Sequence, residues 1–345
     1  MVKIGDRIAN KVAKYSKTCY NYHGDFMEWY HILLIVLLSL VALLLLFNII
    51  IGYIGYKNTF KKIKPKNIYT MSSKSKYYPY QQKFIQGIEW YNTIEKEKIY
   101  VTNDRGLKLV GKLTKQNIKE KPNIVIFFHG WHDSGENEIS CSGIPLLYKE
   151  GYDILIVDQV AHGESEGDII TIGVLEQTDV LLWVDKINEI YNNNCNIILS
   201  GMSMGANMVM LASNKEMNNV RAIIENCGFT NAYDVLKYAS KSKYNINGFT
   251  FAFVNIFFMI KTKLSLKKFD ARKTLNNSLY PVLFIHGKND NTVPYQMAID
   301  LYNSCTNKKE ILIVEEAIHL TSRLTKQDKF DEVMLSFLNK YLKDS

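Results

Sequence analysis

Apolar and polar positions along this chain follow two alternating periodicities, and the switches between them lay out most of the molecule. Short apolar runs of strand length occur near residues 96–102, 106–113, 123–128, 153–158, 196–200, 220–226, 281–286 and 310–314. Between them, apolar residues recur at helical spacing near 137–150, 173–191, 204–214, 295–305 and 327–342. Strand and helix taking turns in this way predict an α/β fold: eight strands in a mostly parallel sheet, helices on both faces. The first two runs are close enough in sequence to form an antiparallel hairpin. Between the sixth and seventh runs lies a longer stretch, 232–275, that fits a small helical cap.

A different pattern precedes all of this. From Ile32 to Ile51 there is no charged residue, and Ser39 and Asn48 are the only polar interruptions. Twenty residues of helix match the hydrocarbon thickness of a bilayer. A cleaved signal peptide has a shorter apolar core closer to the chain start and small residues at a cleavage site. Here some thirty residues come first, so an uncleaved single-pass anchor over 32–54 is the better reading. The expected organisation is a tail (1–31), the transmembrane helix (32–54), a polar juxtamembrane linker (55–90) and a folded domain (91–345). Trp29, Tyr30, Tyr53 and Tyr56 flank the span as an aromatic belt would.

Lys11, Lys14 and Lys17 precede the span at a distance, while Lys57, Lys61, Lys62, Lys64 and Lys66 follow it closely. Counted by the positive-inside rule, this favours a cytoplasmic domain. The same lysines could equally lie on anionic headgroups. At 345 residues the chain has material for one large domain plus an appendage. Its net charge of +8 comes without any nucleic-acid-binding motif, and much of the excess sits beside the apolar segment. Five cysteines (Cys19, Cys141, Cys195, Cys227, Cys305) form no CxxC and no metal-ligand spacing, and the odd count argues against a disulfide framework.

The chemistry concentrates at Gly201-Met202-Ser203-Met204-Gly205. This pentapeptide joins a strand-length apolar run to a helix-compatible stretch, the context of a nucleophile elbow. In such a turn the serine is strained and projects its hydroxyl away from the sheet, and glycines are needed where strand and helix cross. A serine hydroxyl is a poor nucleophile until an imidazole takes its proton, and that imidazole needs a carboxylate to fix its tautomer. Asp290 lies just past the strand Val282–His286, and His319 follows the strand near 310–314. Singly each is an ordinary loop residue; together, in serine–acid–histidine order, they form a candidate triad. Upstream, Phe128-His129-Gly130-Trp131 ends an early strand where an oxyanion-hole amide is supplied. The backbone N–H groups of Trp131 and Met204 are the expected pair. His129 is expected to brace this loop, and His132 to lie near the mouth.

These stretches, with Val157-Asp-Gln-Val-Ala-His-Gly-Glu-Ser-Glu-Gly167, Ile224-Glu-Asn-Cys-Gly-Phe-Thr230 and Ile285-His-Gly-Lys-Asn-Asp-Asn-Thr-Val-Pro294, resemble bacterial α/β-hydrolases of the serine aminopeptidase/esterase type. The resemblance spans roughly residues 90–343 and is close to the membrane-anchored hydrolases of low-GC Gram-positive bacteria. It implies a Ser203–Asp290–His319 triad with no metal and no organic cofactor. Anchored relatives are usually read as facing outward, opposite to the lysine count, so the side of the domain stays open. Two positions depart from the pattern: Val160 where relatives carry arginine, and Ile318 where they carry glycine.

The apolar stretch Phe249–Ile260 is too short to span a bilayer. It reads as a core helix, or as a cap helix that lines an acyl pocket or touches the membrane surface. The expected function is a membrane-anchored serine hydrolase cleaving carboxylic esters or thioesters through an acyl-enzyme, on a small acyl substrate that an apolar cap lining would favour as hydrophobic. Its partners would be that substrate and the bilayer, with no nucleic acid. The alternatives are aminopeptidase-like or acyltransferase activity, or a catalytically silent binding module on the same fold.

Overall fold

The structure is a computed structural model. It describes residues 2–65 and 67–342, with side chains for 10–15, 29–65 and 67–342; Lys17, Cys19 and Lys66 lie outside the described residues or side chains. Eight strands form one sheet: β1 (Glu97–Thr102), β2 (Lys108–Thr114), β3 (Asn123–Phe128), β4 (Asp153–Asp158), β5 (Asn196–Met202), β6 (Val220–Asn226), β7 (Val282–Gly287) and β8 (Lys309–Val314). Their order is β1-β2-β4-β3-β5-β6-β7-β8. β2 runs antiparallel to both β1 and β4, and the other neighbours are parallel. All residues of β4, β5 and β7 are buried, as strands covered on both faces must be.

Two apolar cores flank the sheet. On one face Trp183 of helix Gln177–Ile190, Met208 of helix Met204–Ala212 and Leu301 of helix Gln296–Ser304 pack against β3, β4 and β7. On the other, helices Gly135–Ser142, Ile144–Lys149 and Gln327–Leu342 bury Ile139, Leu147 and Phe337. The helical pattern near 137–150 is thus two helices. Gly143 at φ 83° separates them, and Pro145 opens the second. A proline lacks the amide that would continue the first helix, and its fixed φ suits a helix start.

Residues Val2–Phe60 form a single 59-residue helix, and its segment Trp29–Phe60 is long and apolar enough to cross a membrane. Its last turns dock on helix Gly248–Thr262. A Cβ on Gly52 would come 2.4 Å from Phe253 Cβ, so the absence of a side chain permits the contact. The Thr250 hydroxyl donates to Asn48 Oδ1 at 2.5 Å. The rings of Phe60 and Phe258 lie 4.8 Å apart. Tyr53 remains exposed, but Tyr56 is buried beside Phe60 and Phe257 and takes no part in an aromatic belt.

Residues 55–90 are folded onto the domain rather than strung out from it. The Ile170 amide donates to Phe60 O at 2.7 Å, and Lys61 bridges to Ile169. Helix Gln81–Asn92, absent from the sequence reading, buries Phe84, Ile88 and Tyr91. Its Gly87 lies so close to Ser140 that a Cβ would overlap the hydroxyl. In the region 232–275, helices Ala232–Tyr244, Gly248–Thr262 and Ala271–Leu275 follow β6.

Candidate active site

Ser203 sits between β5 and helix Met204–Ala212 with φ 51° and ψ −108°, a conformation L-residues rarely adopt. The glycines at 201 and 205 make the turn possible. A Cβ on Gly201 would lie 2.4 Å from the Gly205 carbonyl carbon, and one on Gly205 would lie 2.0 Å from Phe128 O. The turn aims the serine hydroxyl at His319, whose Nε2 is 3.0 Å from Ser203 Oγ. On the other side of the ring, His319 Nδ1 lies 2.5 Å from Asp290 Oδ2. With Nδ1–H donating to the carboxylate, Nε2 is left as the acceptor for the hydroxyl proton.

Asp290 is held from several directions. Its Oδ1 accepts the amides of Thr292 (2.7 Å) and Val293 (2.9 Å). Burial pushes its carboxyl upward, but His319 and His286 together hold it below the usual carboxylate range. His286 was not anticipated. Its Nε2–H donates to Val293 O at 2.9 Å and stands 3.4 Å from Asp290 Oδ2, while its Nδ1 has no partner among the described residues. Behind it, Glu225 of β6 is fully buried. It accepts the Gly228 amide at 2.8 Å, and burial pushes its carboxyl up to about 7 against the pull of His286. The sequence did carry a signal for both: each is an ionisable residue near the carboxyl end of a strand, directly after an apolar run (Ala222–Ile224 and Val282–Ile285).

The loop after β3 has its own supports. Both carboxylate oxygens of the buried Glu138 accept the Gly130 amide, at 3.0 and 2.9 Å. Burial, with the charge of Asp133, pushes the Glu138 carboxyl well above its ordinary value. His129 Nδ1–H donates to Gly130 O at 2.8 Å, and Gln159 donates to His129 O at 2.8 Å. His162 accepts the His132 amide at 3.2 Å, and burial lowers it to about 2. His129 is therefore a brace, as its position implied. Among the described residues, neither the Trp131 nor the Met204 amide donates to another part of the protein. Both residues border a pocket of about 100 Å³ beside Ser203, lined also by Val235, Leu236 and Val293. The Trp131 indole donates to Thr59 O at 2.9 Å, tying this loop to the end of the N-terminal helix.

A wider cleft of about 550 Å³ also borders Ser203 and is lined by Asn58, Asp133, Glu138 and His319 among others. Helix Gly248–Thr262 lines neither space; the cap contributes through helix Ala232–Tyr244 instead. The two departures are absorbed locally. Val160 is buried and offers its carbonyl to His162 Nδ1 at 2.9 Å, while the Ile318 amide is capped by Thr321 Oγ1 at 3.0 Å. Cys227, Asp290 and His319 have potential metal-ligand atoms within 4.8 Å of one another. Burial pushes the Cys227 thiol well up, whereas a metal ligand needs the thiolate. The direct histidine–aspartate bond already uses the facing atoms of the other two. Cys141, Cys195, Cys227 and Cys305 are all buried and free.

This geometry agrees with what the chain is similar to. The prolyl oligopeptidase family model matches residues 171–345, and that of the X-Pro dipeptidyl-peptidase (S15) family matches 68–252. The uncharacterized protein YqkD of Bacillus subtilis (strain 168) is 23% identical over 253 residues, 73% of this chain and 82% of YqkD. YfhR of Escherichia coli (strain K12), also uncharacterized, is 22% identical over 245 residues, 70% of this chain and 80% of YfhR. Among solved structures, the Pyrococcus furiosus esterase Pf2001 superposes with a TM-score of 0.62 at 19% identity, covering 82% of this chain and 99% of the esterase. The ferulic-acid complex of Est1E from Butyrivibrio proteoclasticus gives 0.56 at 18% identity, covering 71% and 99%. Such identities carry the fold, and the family models carry the chemistry class. The chain belongs to the α/β-hydrolase superfamily, as a serine hydrolase of the group that the prolyl oligopeptidase and X-Pro dipeptidyl-peptidase models describe.

Proposed function

We propose that the protein is a membrane-anchored hydrolase of carboxylic esters that works through an acyl-enzyme on Ser203. The observation that carries this reading is the hydrogen-bonded relay from Ser203 through His319 to Asp290 at a strained strand-to-helix turn. Ser203 Oγ attacks the carbonyl carbon as its proton passes to His319 Nε2. Asp290 holds the ring in the required tautomer and stabilises the imidazolium. The amides of Trp131 and Met204 bind the oxyanion, a contribution of about 3–4 kcal/mol per donor in related chemistry. The intermediate collapses and His319 returns the proton to the leaving alcohol. Water, deprotonated by His319, then releases the acid. The apolar lining of the small pocket suits an acyl group, and the wider cleft suits the alcohol. The helix around 32–54 serves as the anchor, its apolar side chains being exposed from Ile32 to Phe47.

A second reading, hydrolysis of peptides from the amino end, is favoured by the two peptidase family models and by Asp133 on the wall of the cleft. A panel of p-nitrophenyl esters and of aminoacyl and Xaa-Pro p-nitroanilides separates the two. Turnover of the esters, lost in Ser203→Ala, is the expected result. Anilide turnover exceeding ester turnover would replace the ester reading with the peptidase one.

A further inference from the structure

The end of the N-terminal helix and the residues just after it build part of the catalytic cleft. Asn58 and Ile63 line the wide cleft together with Trp131, Ser203 and His319. Thr59 borders the small pocket, and its carbonyl accepts the Trp131 indole at 2.9 Å. His132 Nε2 lies 3.1 Å from Lys61 O. A flexible tether would leave the domain free to sample solution; this helix runs straight into the wall beside the nucleophile. Thr59 is five residues beyond Ile54, the end of the apolar span, which at 1.5 Å per residue is about 8 Å along the axis. The cleft therefore opens at headgroup depth, within about 10 Å of the hydrocarbon edge, if the span sits in a bilayer.

The cap agrees with that placement. Helix Gly248–Thr262 uses one side to pack on the N-terminal helix and leaves Phe249, Ile256, Met259 and Ile260 exposed on the other. This exposed apolar face adjoins the lipid-length helix to which the cap helix is docked, so the two form one continuous apolar surface. Exposed lysines rim it, Lys57, Lys61 and Lys64 on the anchor side and Lys261 and Lys263 on the cap side. An apolar face bordered by lysines is the pattern of a segment lying in an anionic membrane interface.

We propose that the cap helix is itself immersed in the bilayer surface, and that the site takes acyl esters of bilayer lipids, delivered sideways from the leaflet. The inference rests on the ester-hydrolase reading and deepens it. In a glycerolipid the ester carbonyls lie at the boundary between headgroup and acyl chain, the depth at which this cleft opens.

The test uses the full-length protein reconstituted in vesicles of phosphatidylcholine and phosphatidylglycerol. Two substrates are compared: a fluorogenic diacyl phospholipid embedded in the vesicles, and water-soluble p-nitrophenyl butyrate. The wild type should cleave both. The double variant Ile256→Lys/Ile260→Lys, altered only on the exposed cap face, should keep butyrate turnover within twofold and lose at least tenfold on the embedded lipid. Retained butyrate turnover in the variant also reports an intact fold. The proposal is overturned if the variant cleaves the embedded lipid as well as the wild type does. It is equally overturned if the wild type cleaves butyrate, or takes a fluorophosphonate at Ser203, yet leaves the embedded lipid intact. Loss of all three reactions in the wild type would instead sink the hydrolase reading beneath it.

Discussion

Ser203, Asp290 and His319 are fixed by the ends of the strands that carry them, whereas the loop of Trp131 is held from outside the sheet. On the nucleophile side, β5 pairs in register with β3, Gly201 opposite Phe128, and β7 with β8, Gly287 opposite Val314, so the three loops emerge together at one edge. On the side of the proposed oxyanion hole, Gly130 hangs on the Glu138 carboxylate and the Trp131 ring on the Thr59 carbonyl. The first half is a property of the sheet. The second depends on a buried acid and on the docking of a helix that begins outside the domain. Disturbing the first half should therefore abolish chemistry, and disturbing the second should weaken it by degrees.

The largest effect short of removing the nucleophile is expected from Asp290→Asn. The tautomer of His319 would be wrong for accepting the serine proton, and kcat should fall by about 10⁴-fold with the fold intact. The same carboxyl is held below its ordinary range. Its contribution to stability is complete above about pH 4 and is lost as the pH falls below that. Thermal melts should accordingly show the gap between wild type and Asp290→Asn narrowing below pH 4. A gap that stays constant down to pH 2.5 would contradict the assigned charge.

Glu138→Ala tests the other half. Without the carboxylate the Gly130 amide loses its partner and the turn presenting the Trp131 amide loosens. Steady-state kinetics should show kcat down by about 10- to 100-fold with KM little changed, less than the loss for deleting an oxyanion donor outright. An unchanged kcat would mean that the loop is held without Glu138.

A subtler effect belongs to the buried pair behind Asp290. The Glu225 carboxyl, pushed up to about 7, favours its neutral form in the folded protein. Unfolded, it would titrate near 4.3, so stability should decline as the pH rises between about 4.5 and 7. Glu225→Gln should flatten that decline in melting temperature, and a variant with the wild-type slope would assign the proton elsewhere. Smallest of all, Thr250→Val removes the hydrogen bond to Asn48 between the cap and the N-terminal helix. About 1 kcal/mol of stability should go, with ester turnover unchanged.

The same contrast explains what could be read from the chain. Strands β1 to β8 follow from local apolar runs, and the elbow from five adjacent residues, so both were legible. Asp290 and His319 were legible because each follows its strand directly. Glu138 was not: it lies within a helix, and nothing local says that its carboxylate turns inward to the Gly130 amide eight residues back. Helix Gln81–Asn92 was missed because its polar residues outnumber the four it buries, Phe84, Gly87, Ile88 and Tyr91. The docking of Gly52 and Gly55 on the cap depends on a partner some two hundred residues away, and no pattern within the apolar span encodes it.

Acyl-enzyme chemistry at this site requires Ser203 Oγ to be more reactive than every other hydroxyl in the protein. Incubation of the full-length protein with a fluorophosphonate, followed by peptide mass spectrometry, reads that directly. A single adduct on the peptide containing Ser203, absent from Ser203→Ala and formed far more slowly by Asp290→Asn, is the predicted result. Modification at another residue, or labelling that persists in Ser203→Ala, would contradict it.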